Sequence, residues 1–534
     1  MRVLLVEPQY RRVSGTKSET APNTDIYSNQ ARRGKARNDD TLWYPPLGLM
    51  KLARFHKERG DEVKFVSGCD RKAATPPDLF NPNAHWDRVY ITTLFTFNWD
   101  SIVKTISFYK ESVGGTVGKI FVGGVMASLM ADDLFEETGV YPVTGVLTSP
   151  SQIDLQGKEN IDHLPPDYSI LDPSLYAIND TYYGYTSRGC VNRCAWCGVP
   201  QIEPKYVDYI DIKPMIRILR QEYGDKPRLK LMDNNVLASP HLERIIVDLE
   251  ELGYGRDCYT NSQPRKLRIV DFNQGVDASF LDVRNMKLVS RLNISPMRIA
   301  FDQASEEKRY VQALRLAYKY GVSEFSNYML YNWKDNPRDL FERLVVNIRL
   351  NEEWGRGKNT KQRSAIYSYP MRFAPINNEN GVHNNRHRDT FGQVICDGKD
   401  WLAKATWTRR FARNIEIMKG AAHGAISSTP SLARRTIGAT YEEFLANLYM
   451  PEELLRNRNK HERHVYNHEP KRPPGTGKVE EFRSFILRLL KKKDDRFQQF
   501  HNAVSENSVE HIRRTIKQCK DKEIVEWLQF YLPK

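Results

Sequence analysis

The sequence predicts an α/β protein in three consecutive parts: a doubly wound parallel sheet, an open six-fold β/α barrel and a mainly helical tail. Short apolar runs of strand length alternate with amphipathic segments of helix length through most of the chain, and the last quarter shows helical periodicity alone. With 534 residues, of which 40% are hydrophobic and 27% charged, the chain is long enough for two or three packed domains.

Residues 1–150 are predicted to form a Rossmann-like domain, a parallel sheet with helices on both faces. The predicted strands cover residues 3–6, 62–66, 89–93 and 119–122, and the predicted helices cover residues 46–59 and 101–110. Ligands of such sheets bind beyond the carboxyl ends of the strands. The residues expected at this rim are Gly68, Thr93, Gly123 and Gly124.

Residues 151–181 lack periodicity and are predicted to be a linker, after which the alternation resumes over residues 182–375. Six β/α steps are too few for a closed eight-fold barrel but fit an open (β/α)6 barrel, with its chemistry at the carboxyl ends of the strands. The predicted strands are residues 183–186, 229–232, 268–273, 297–301, 324–330 and 364–367, and the predicted helices are residues 213–222, 240–252, 282–291, 305–318 and 337–354.

Residues 376–534 are predicted to be a mainly helical, basic region. From Trp401 to Lys534 there are 26 basic and 16 acidic residues, so this segment carries +10 of the total net charge of +14. Such a surface faces solvent or binds a polyanion, which makes RNA a candidate partner. The predicted helices are residues 404–419, 441–448, 451–461, 478–493, 497–505 and 510–532.

The composition also gives an expectation about location. No run of about 18 apolar residues is present, and the first apolar run is too short for the core of a signal peptide. We therefore expect no membrane association and a cytoplasmic protein, in which a scaffold of disulfides among the seven cysteines is not expected.

Three of the cysteines form a C-x3-C-x2-C pattern. Cys190, Cys194 and Cys197 fall within eight residues, directly after the first predicted barrel strand. Clustered thiols of this kind are typical of an iron–sulfur cluster or a soft metal ion. A structural zinc site needs a fourth ligand nearby, and the next candidates in the chain, His241 and Cys258, are far away in sequence. The spacing favours a cluster with three protein ligands and one iron left open.

This pattern, with Trp196 before the last cysteine and a β/α barrel around it, resembles the radical S-adenosylmethionine (SAM) superfamily. The resemblance covers about residues 182–375. It implies that the three cysteines bind a [4Fe-4S] cluster, that the fourth iron chelates SAM, and that one electron cleaves SAM to a 5′-deoxyadenosyl radical. The resemblance also implies an external one-electron reductant, such as a flavodoxin or a ferredoxin.

The resemblance further assigns SAM contacts to polar residues at strand ends. The second predicted strand ends in Asp233, Asn234 and Asn235, where the superfamily has a Gly-Gly-Glu-type motif for the SAM amino group; the glycines are absent here. Carboxylate and amide oxygens both accept hydrogen bonds from an ammonium group. Asn273, after the third strand, and Asp302, after the fourth, are expected to contact SAM or the substrate.

The N-terminal segments MRVLLVEP and YPPLGL resemble the radical SAM subgroup that carries a cobalamin-binding domain before the barrel. The motif Asp-x-His-x-x-Gly, whose histidine ligates cobalt in that subgroup, is absent from the sequence. Cobalamin is therefore a candidate cofactor rather than an implied one. A cobalamin-dependent methyltransferase is one alternative interpretation of the chain.

Three further residues are candidates for chemistry on the substrate, which the sequence does not identify. Cys258 and Cys396 are candidates for a thiol hydrogen donor or a covalent acceptor. Arg372 lies in the aromatic segment 367–375, where a guanidinium group would bind a carboxylate or a phosphate. An interpretation from another class is an RNA-binding protein in which the iron–sulfur cluster is structural.

Overall fold

The computed structural model describes residues 1–9, 42–74, 86–113, 116–355, 364–373, 407–420, 424–466, 476–492 and 494–533. The chain divides into two compact units. Among the described residues, the first comprises residues 1–295, and the second comprises residues 296–373 and 407–533. Both units contain parallel strands and helices, which agrees with the predicted α/β class.

The first unit begins with a four-stranded parallel sheet in the order β2-β1-β3-β4. The strands are β1 (Arg2–Glu7), β2 (Glu62–Ser67), β3 (Arg88–Thr93) and β4 (Ile120–Gly124), and the helices of this part are α1 (Leu47–Glu58), α2 (Trp99–Ser112), α3 (Val125–Leu129) and α4 (Ala131–Thr138). The middle of β1 is buried throughout, as expected for a parallel strand that is covered on both faces. All four strands lie within two residues of the predicted bounds.

Alternate side chains of β1 pack into two separate cores. Leu4 and Val6 join the core that contains the apolar side chains of α2, while Val3 and Leu5 join the core that contains those of α1. Because successive side chains of a strand point to opposite faces of a sheet, one apolar strand supplies both cores. This packing is the doubly wound arrangement predicted for the N-terminal residues.

The chain passes very closely over itself where β3 and β4 end. Gly124 has a φ of +114°, and a Cβ atom there would lie 2.2 Å from the carbonyl oxygen of Thr93, so only glycine fits. The hydroxyl of Thr93 donates to the oxygen of Gly123 (3.1 Å) and accepts from the backbone N–H of Ala127 (2.9 Å). Three residues of the expected rim are thus bonded to each other or to the start of α3.

The predicted linker contains three short 3-10 turns instead of a regular element: Pro150–Ile153, Ile161–His163 and Tyr168–Ile170. A second parallel sheet of the first unit follows, in the order β5-β6-β7. Its strands are β5 (Thr181–Gly184), β6 (Arg228–Leu231) and β7 (Ile269–Phe272), and the accompanying helices are α5 (Val199–Ile202), α6 (Lys213–Tyr223), α7 (Leu242–Leu249) and α8 (Val283–Val289).

The second unit contains a parallel sheet in the order β10-β9-β8, so each of the six strands predicted for the barrel segment is present. The strands are β8 (Met297–Arg298), β9 (Glu324–Tyr331) and β10 (Ala365–Arg372), and the helices are α9 (Glu307–Lys319) and α10 (Pro337–Glu353). The buried side chain of Arg343 in α10 donates to the oxygens of Phe301 and Leu330, both at 2.8 Å. This arginine therefore ties α10 to the chain at the ends of two strands.

The C-terminal part of the second unit is helical, as predicted, with two differences. Its helices are α11 (Arg409–Lys419), α12 (Pro430–Ile437), α13 (Tyr441–Tyr449), α14 (Glu452–Tyr466), α15 (Thr476–Lys492), α16 (Asp495–Ser505), α17 (Val509–Gln518) and α18 (Lys522–Gln529). Helix α12 is additional, with proline at its first position, where the missing N–H costs nothing. The single helix predicted for residues 510–532 is two helices, because the side chain of Asp521 caps the start of α18. Over the described ranges, no helix has the length and apolarity needed to span a bilayer.

Glu7, at the carboxyl end of β1, is expected to reduce stability above neutral pH. Burial raises the pKa of Glu7 to about 7, although Tyr176 donates a hydrogen bond to this carboxyl group. Below its ordinary pKa of 4.5 the group is protonated in both the folded and the unfolded chain. As the pH rises from there through 7, the folded state must ionise a buried carboxyl group, so the free energy of unfolding falls.

We expect Glu7→Gln to remove this loss, because the amide still accepts from Tyr176 and carries no charge. At pH 8 the variant should be more stable than the wild type by roughly 2–3 kcal/mol, and the difference should shrink as the pH falls towards 5. Thermal unfolding of both proteins, followed by circular dichroism across this pH range, measures it. A difference that does not change with pH would contradict the assignment.

Candidate metal centre

The three clustered cysteines lie on the loop that follows β5 at its carboxyl end. Cys190 and Cys194 are partly buried and Cys197 is exposed. The loop turns tightly at its end, where the N–H of Cys197 donates to the oxygen of Cys194 at 3.0 Å, and α5 begins two residues later. The loop therefore presents three thiols at the edge of a parallel sheet where β/α proteins place their chemistry.

The chemistry of the three thiols is compatible with an iron–sulfur cluster. Among the residues that the structure describes, no three Cys, His, Asp or Glu side chains are grouped as ligands of one ion. In a four-iron cluster each cysteine binds a different iron, so the thiols surround a group of atoms instead of converging on one point. Three thiols on one loop meet that requirement, and a tetrahedral zinc site is not formed by the described residues.

Two N–H groups point at the sulfur of Cys190. The backbone N–H of Asn192 lies 3.4 Å from Sγ, and the side-chain amide of Asn235, from the loop after β6, lies 3.8 Å from it. Hydrogen bonds to a cluster thiolate stabilise its negative charge and tune the reduction potential. The loop after β6 is thus part of the cysteine site.

Asp233 is buried, and its carboxylate is hydrogen-bonded to residues that lead into the cysteine loop. Its carboxylate accepts hydrogen bonds from the N–H of Thr186 (3.0 and 3.1 Å), the hydroxyl of Thr186 (2.7 Å) and the hydroxyl of Ser187 (2.7 Å). The residue is 1% exposed, and burial raises the pKa of Asp233 while these hydrogen bonds oppose the rise. The hydrogen bonds found at Asp233 join it to the residues that lead into the cysteine loop, and a contact between Asp233 and SAM stays a prediction.

The two asparagines that follow Asp233 differ in the hydrogen bonds of their side chains. The side chain of Asn234 donates to Glu203 Oε2 at 2.8 Å and so joins the segment after the cysteines. Asn235 is 2% exposed, and within the described part of the chain its buried Oδ1 has no hydrogen-bond partner. An unpaired buried acceptor beside Cys190 is costly unless a ligand donates to it. The buried Oδ1 of Asn235 is therefore available to accept a hydrogen bond from an ammonium group.

Asn273 lies at the carboxyl end of β7, on the same edge of the sheet as the cysteine loop. Its side-chain amide donates to the hydroxyl of Tyr44 at 3.1 Å, and Lys230 donates to the same hydroxyl at 2.9 Å. Tyr44, which precedes α1, thus brings the N-terminal part of the first unit to this edge. The sequence gives no pattern that singles out Tyr44 for such a role.

Asp302 and Arg372 belong to the second unit. The carboxylate of Asp302 accepts from the N–H of Leu330 at 3.2 Å, near the end of β9. Arg372 is the last residue of β10, and its charge lowers the pKa of Tyr331 against the much larger rise caused by burial. Both side chains therefore lie near the carboxyl edge of their own sheet, where the sequence places them.

The structure places Cys258 far from the cysteine loop within the first unit. Its carbonyl oxygen accepts from the N–H of Arg268 at 2.8 Å, directly before β7 begins. Because β5, β6 and β7 are parallel, the start of β7 lies at the opposite edge of the sheet from the end of β5. Cys258 therefore lies at the opposite edge from the cysteine loop, and its role as a catalytic thiol stays a prediction. Cys396, the other candidate thiol, lies outside the described residues.

The carboxyl ends of β1–β4 are where a cobalamin would be expected. The residues described there are Glu7, Gly68, Thr93 and Gly124. None of these four supplies an imidazole for cobalt, and the hydroxyl of Tyr109 already donates to the oxygen of Gly68 at 2.8 Å. These four residues therefore provide no histidine ligand for cobalt.

Comparison with known proteins gives matches among solved structures alone. No family model matches the chain, and no curated protein is similar to it in sequence. Seven chains of solved structures match. One is the cobalamin-dependent S-adenosylmethionine radical enzyme OxsB in its apo form, with 13% identity and a TM-score of 0.45 over 100% of this chain and 84% of that chain. Another is HydG, a maturase of the [FeFe]-hydrogenase, with 12% identity and a TM-score of 0.27 over 82% of this chain and 97% of that chain.

Both identities are below 25% and both TM-scores are below 0.5. These similarities therefore carry no conclusion about the chemistry of this chain.

We expect Asp233→Ala to weaken the fold around the cysteine loop. The substitution leaves three donors of Thr186 and Ser187 without their buried acceptor, which should lower the free energy of unfolding by about 2–4 kcal/mol. Asp233→Asn keeps one acceptor oxygen and should lose less than half as much. Urea unfolding at pH 7 measures both variants, and equal losses would show that hydrogen bonding at Asp233 does not hold this loop.

Proposed function

We propose that this chain is a radical SAM enzyme that holds a [4Fe-4S] cluster through Cys190, Cys194 and Cys197. The observation that supports the proposal is the position of three thiols on one loop at the carboxyl end of a parallel strand, beside an unpaired buried amide oxygen. A cluster bound there supplies the electron that cleaves SAM to methionine and a 5′-deoxyadenosyl radical. That electron comes from an external one-electron reductant of the flavodoxin or ferredoxin class.

In this proposal, residues of the chain itself position the cysteine loop and bind SAM. Asp233 fixes the residues that lead into the cysteine loop, and the amide N–H of Asn235 contacts the sulfur of Cys190. The opposite end of the same amide, Oδ1, accepts from the amino group of SAM. One side chain therefore links the sulfur ligand to the bound SAM, and the substrate radical chemistry takes place at this edge of the sheet.

The first test is the metal content. We expect the anaerobically reconstituted full-length chain to hold about four iron and four sulfide. Cys190→Ser, Cys194→Ser and Cys197→Ser should each remove the characteristic visible absorption, because the loss of one thiolate leaves an iron without its protein ligand. Iron and sulfide assays and electron paramagnetic resonance of the reduced protein provide the readout.

Cys258→Ser is the matched control, because Cys258 lies at the opposite edge of the same sheet. It should retain the full iron content.

Incubation of the wild type with SAM and dithionite should then release 5′-deoxyadenosine, which mass spectrometry detects. A triple cysteine variant that keeps its iron would overturn the proposed cluster site.

The second test concerns SAM. Asn235→Ala should keep the cluster but bind SAM about ten- to a hundred-fold more weakly, because a hydrogen bond to a charged group contributes roughly 1.5–3 kcal/mol. Asn293→Ala is the control, since the amide of Asn293 donates to the oxygen of Arg268, which precedes β7 at the opposite edge of the sheet. Equilibrium binding of SAM to the reconstituted proteins measures both. Equal affinities for wild type and Asn235→Ala would remove Asn235 from the SAM site.

A cobalamin-dependent methyltransferase is a narrower form of the same proposal. It receives no support from the described ends of β1–β4, which lack an imidazole. Addition of cobalamin to the protein tests this form directly, because the visible spectrum of cobalamin changes when a protein residue ligates its cobalt. Methylated products that require both cobalamin and SAM would establish this form of the activity.

RNA binding by the basic tail rests on composition alone. Within the second unit several of the cations already have acidic partners: Arg413 pairs with Glu452 at 3.0 Å, and Arg496 pairs with both Asp521 (2.6 Å) and Glu523 (2.8 Å). Paired charges contribute less to the attraction of a polyanion than free ones. RNA thus stays a partner hypothesis, and the radical SAM assignment does not depend on it.

A further inference from the structure

Four buried charged side chains form a continuous row next to the cysteine loop, which we call the ion chain: Lys51, Asp162, Arg188 and Glu203. Lys51 Nζ lies 2.8 Å from Asp162 Oδ1, Arg188 Nε lies 2.9 Å from Asp162 Oδ2, and Arg188 Nη1 lies 2.7 Å from Glu203 Oε1. The side chains are between 8% and 12% exposed. Positive and negative groups alternate, so the formal charge of the ion chain is zero.

The last member of the ion chain holds the cysteine loop directly. Glu203 Oε2 accepts from the N–H of Gly189 at 2.5 Å and from the side chain of Asn234 at 2.8 Å. The first bond fixes the residue before Cys190, and the second joins the loop after β6 to the same carboxylate. The backbone at Arg188 is also paired with Val207 through two hydrogen bonds of 2.9 Å.

Gly189 leaves this loop little room to move. Its φ is +74°, and a Cβ atom there would lie 2.7 Å from the oxygen of Lys205. Only glycine suits both the left-handed backbone and the close approach. The loop that leads into the cysteine motif is therefore held by a hydrogen bond to Glu203 and by close packing against the backbone of Lys205.

The ion chain begins in another part of the first unit. Lys51 belongs to α1, which packs on the N-terminal sheet, and Asp162 belongs to the 3-10 turn Ile161–His163. Lys51 and Arg188 also lie near the ring of Tyr185, at 5.2 and 3.3 Å from its centroid. A contiguous set of buried polar contacts thus runs from α1 to the residue that precedes Cys190.

We propose that the ion chain positions the cysteine loop and sets the reduction potential of the cluster, so that the N-terminal helix α1 acts on the cluster through Lys51. This inference rests on the proposed function, since it concerns the cluster assigned to the three cysteines. Reduction adds one negative charge to a cluster. A buried charge nearby is poorly screened, so an uncompensated positive charge favours the reduced cluster and an uncompensated negative charge disfavours it.

The test uses substitutions of opposite sign in the full-length, reconstituted protein. Glu203→Gln keeps an oxygen that accepts from Gly189 and leaves a net charge of +1, so the midpoint potential should become less negative. Lys51→Met leaves a net charge of −1, so the potential should become more negative. The double variant restores a net charge of zero and should return towards the wild-type value. Redox titration monitored by electron paramagnetic resonance measures all four proteins.

A merely structural role would lower the iron content of both single variants without shifting their potentials in opposite directions. Lys57→Met is the control, because Lys57 lies on the same helix, is 42% exposed and pairs with Asp167 instead. Its potential should equal that of the wild type. Single-variant potentials that are unchanged, or that move in the same direction, would overturn the inference.

If a single variant loses its cluster entirely, the iron content of the double variant decides whether the inference about the ion chain holds. Recovery supports the ion chain, since the net charge is again zero, and continued loss overturns it. The wild type separates this inference from the proposed function. A wild-type chain that takes up no cluster refutes the function, whereas a wild type with a cluster and variants with unshifted potentials refutes the ion chain alone.

Discussion

The position of the cysteine loop depends on the buried carboxylate of Asp233. Asp233, just past the end of β6, gathers the backbone and hydroxyl donors of Thr186 and Ser187 into one buried set of hydrogen bonds. A buried polar group must be satisfied, so the chain after β5 has to leave the sheet in the direction that these bonds allow. The cysteine loop begins there, and its course is therefore set by the neighbouring strand.

Buried ion pairs reinforce this geometry more than they stabilise the fold. The desolvation of two charges offsets most of their attraction, and a chain such as Lys51–Asp162–Arg188 therefore contributes little net free energy. Removing one member is costly, because it leaves its partner charged and unpaired in the interior. The expected consequence is specificity: the loop that carries the thiols has one low-energy position.

The parallel arrangement of the strands also determines which candidate residues lie near the cysteine loop. The carboxyl ends of parallel strands meet at one edge, and this brings Asn235 to Cys190. Cys258 precedes a strand instead of following one, and so lies at the opposite edge of the sheet. At the N-terminal sheet the described ends of β3 and β4 are bonded to one another, as between Thr93 and Gly123.

The sequence by itself determined what depends on local order: strands and helices from their apolar periodicity, and three thiols from the spacing of Cys190, Cys194 and Cys197. It did not distinguish Asp233 from Asn235, because both carry acceptor oxygens and differ only in which donors the fold brings to them. The ion chain has no sequence signature, since Lys51 and Glu203 are 152 positions apart. Only the tertiary structure decided these roles, because hydrogen bonds and charge pairing depend on distances that packing alone sets.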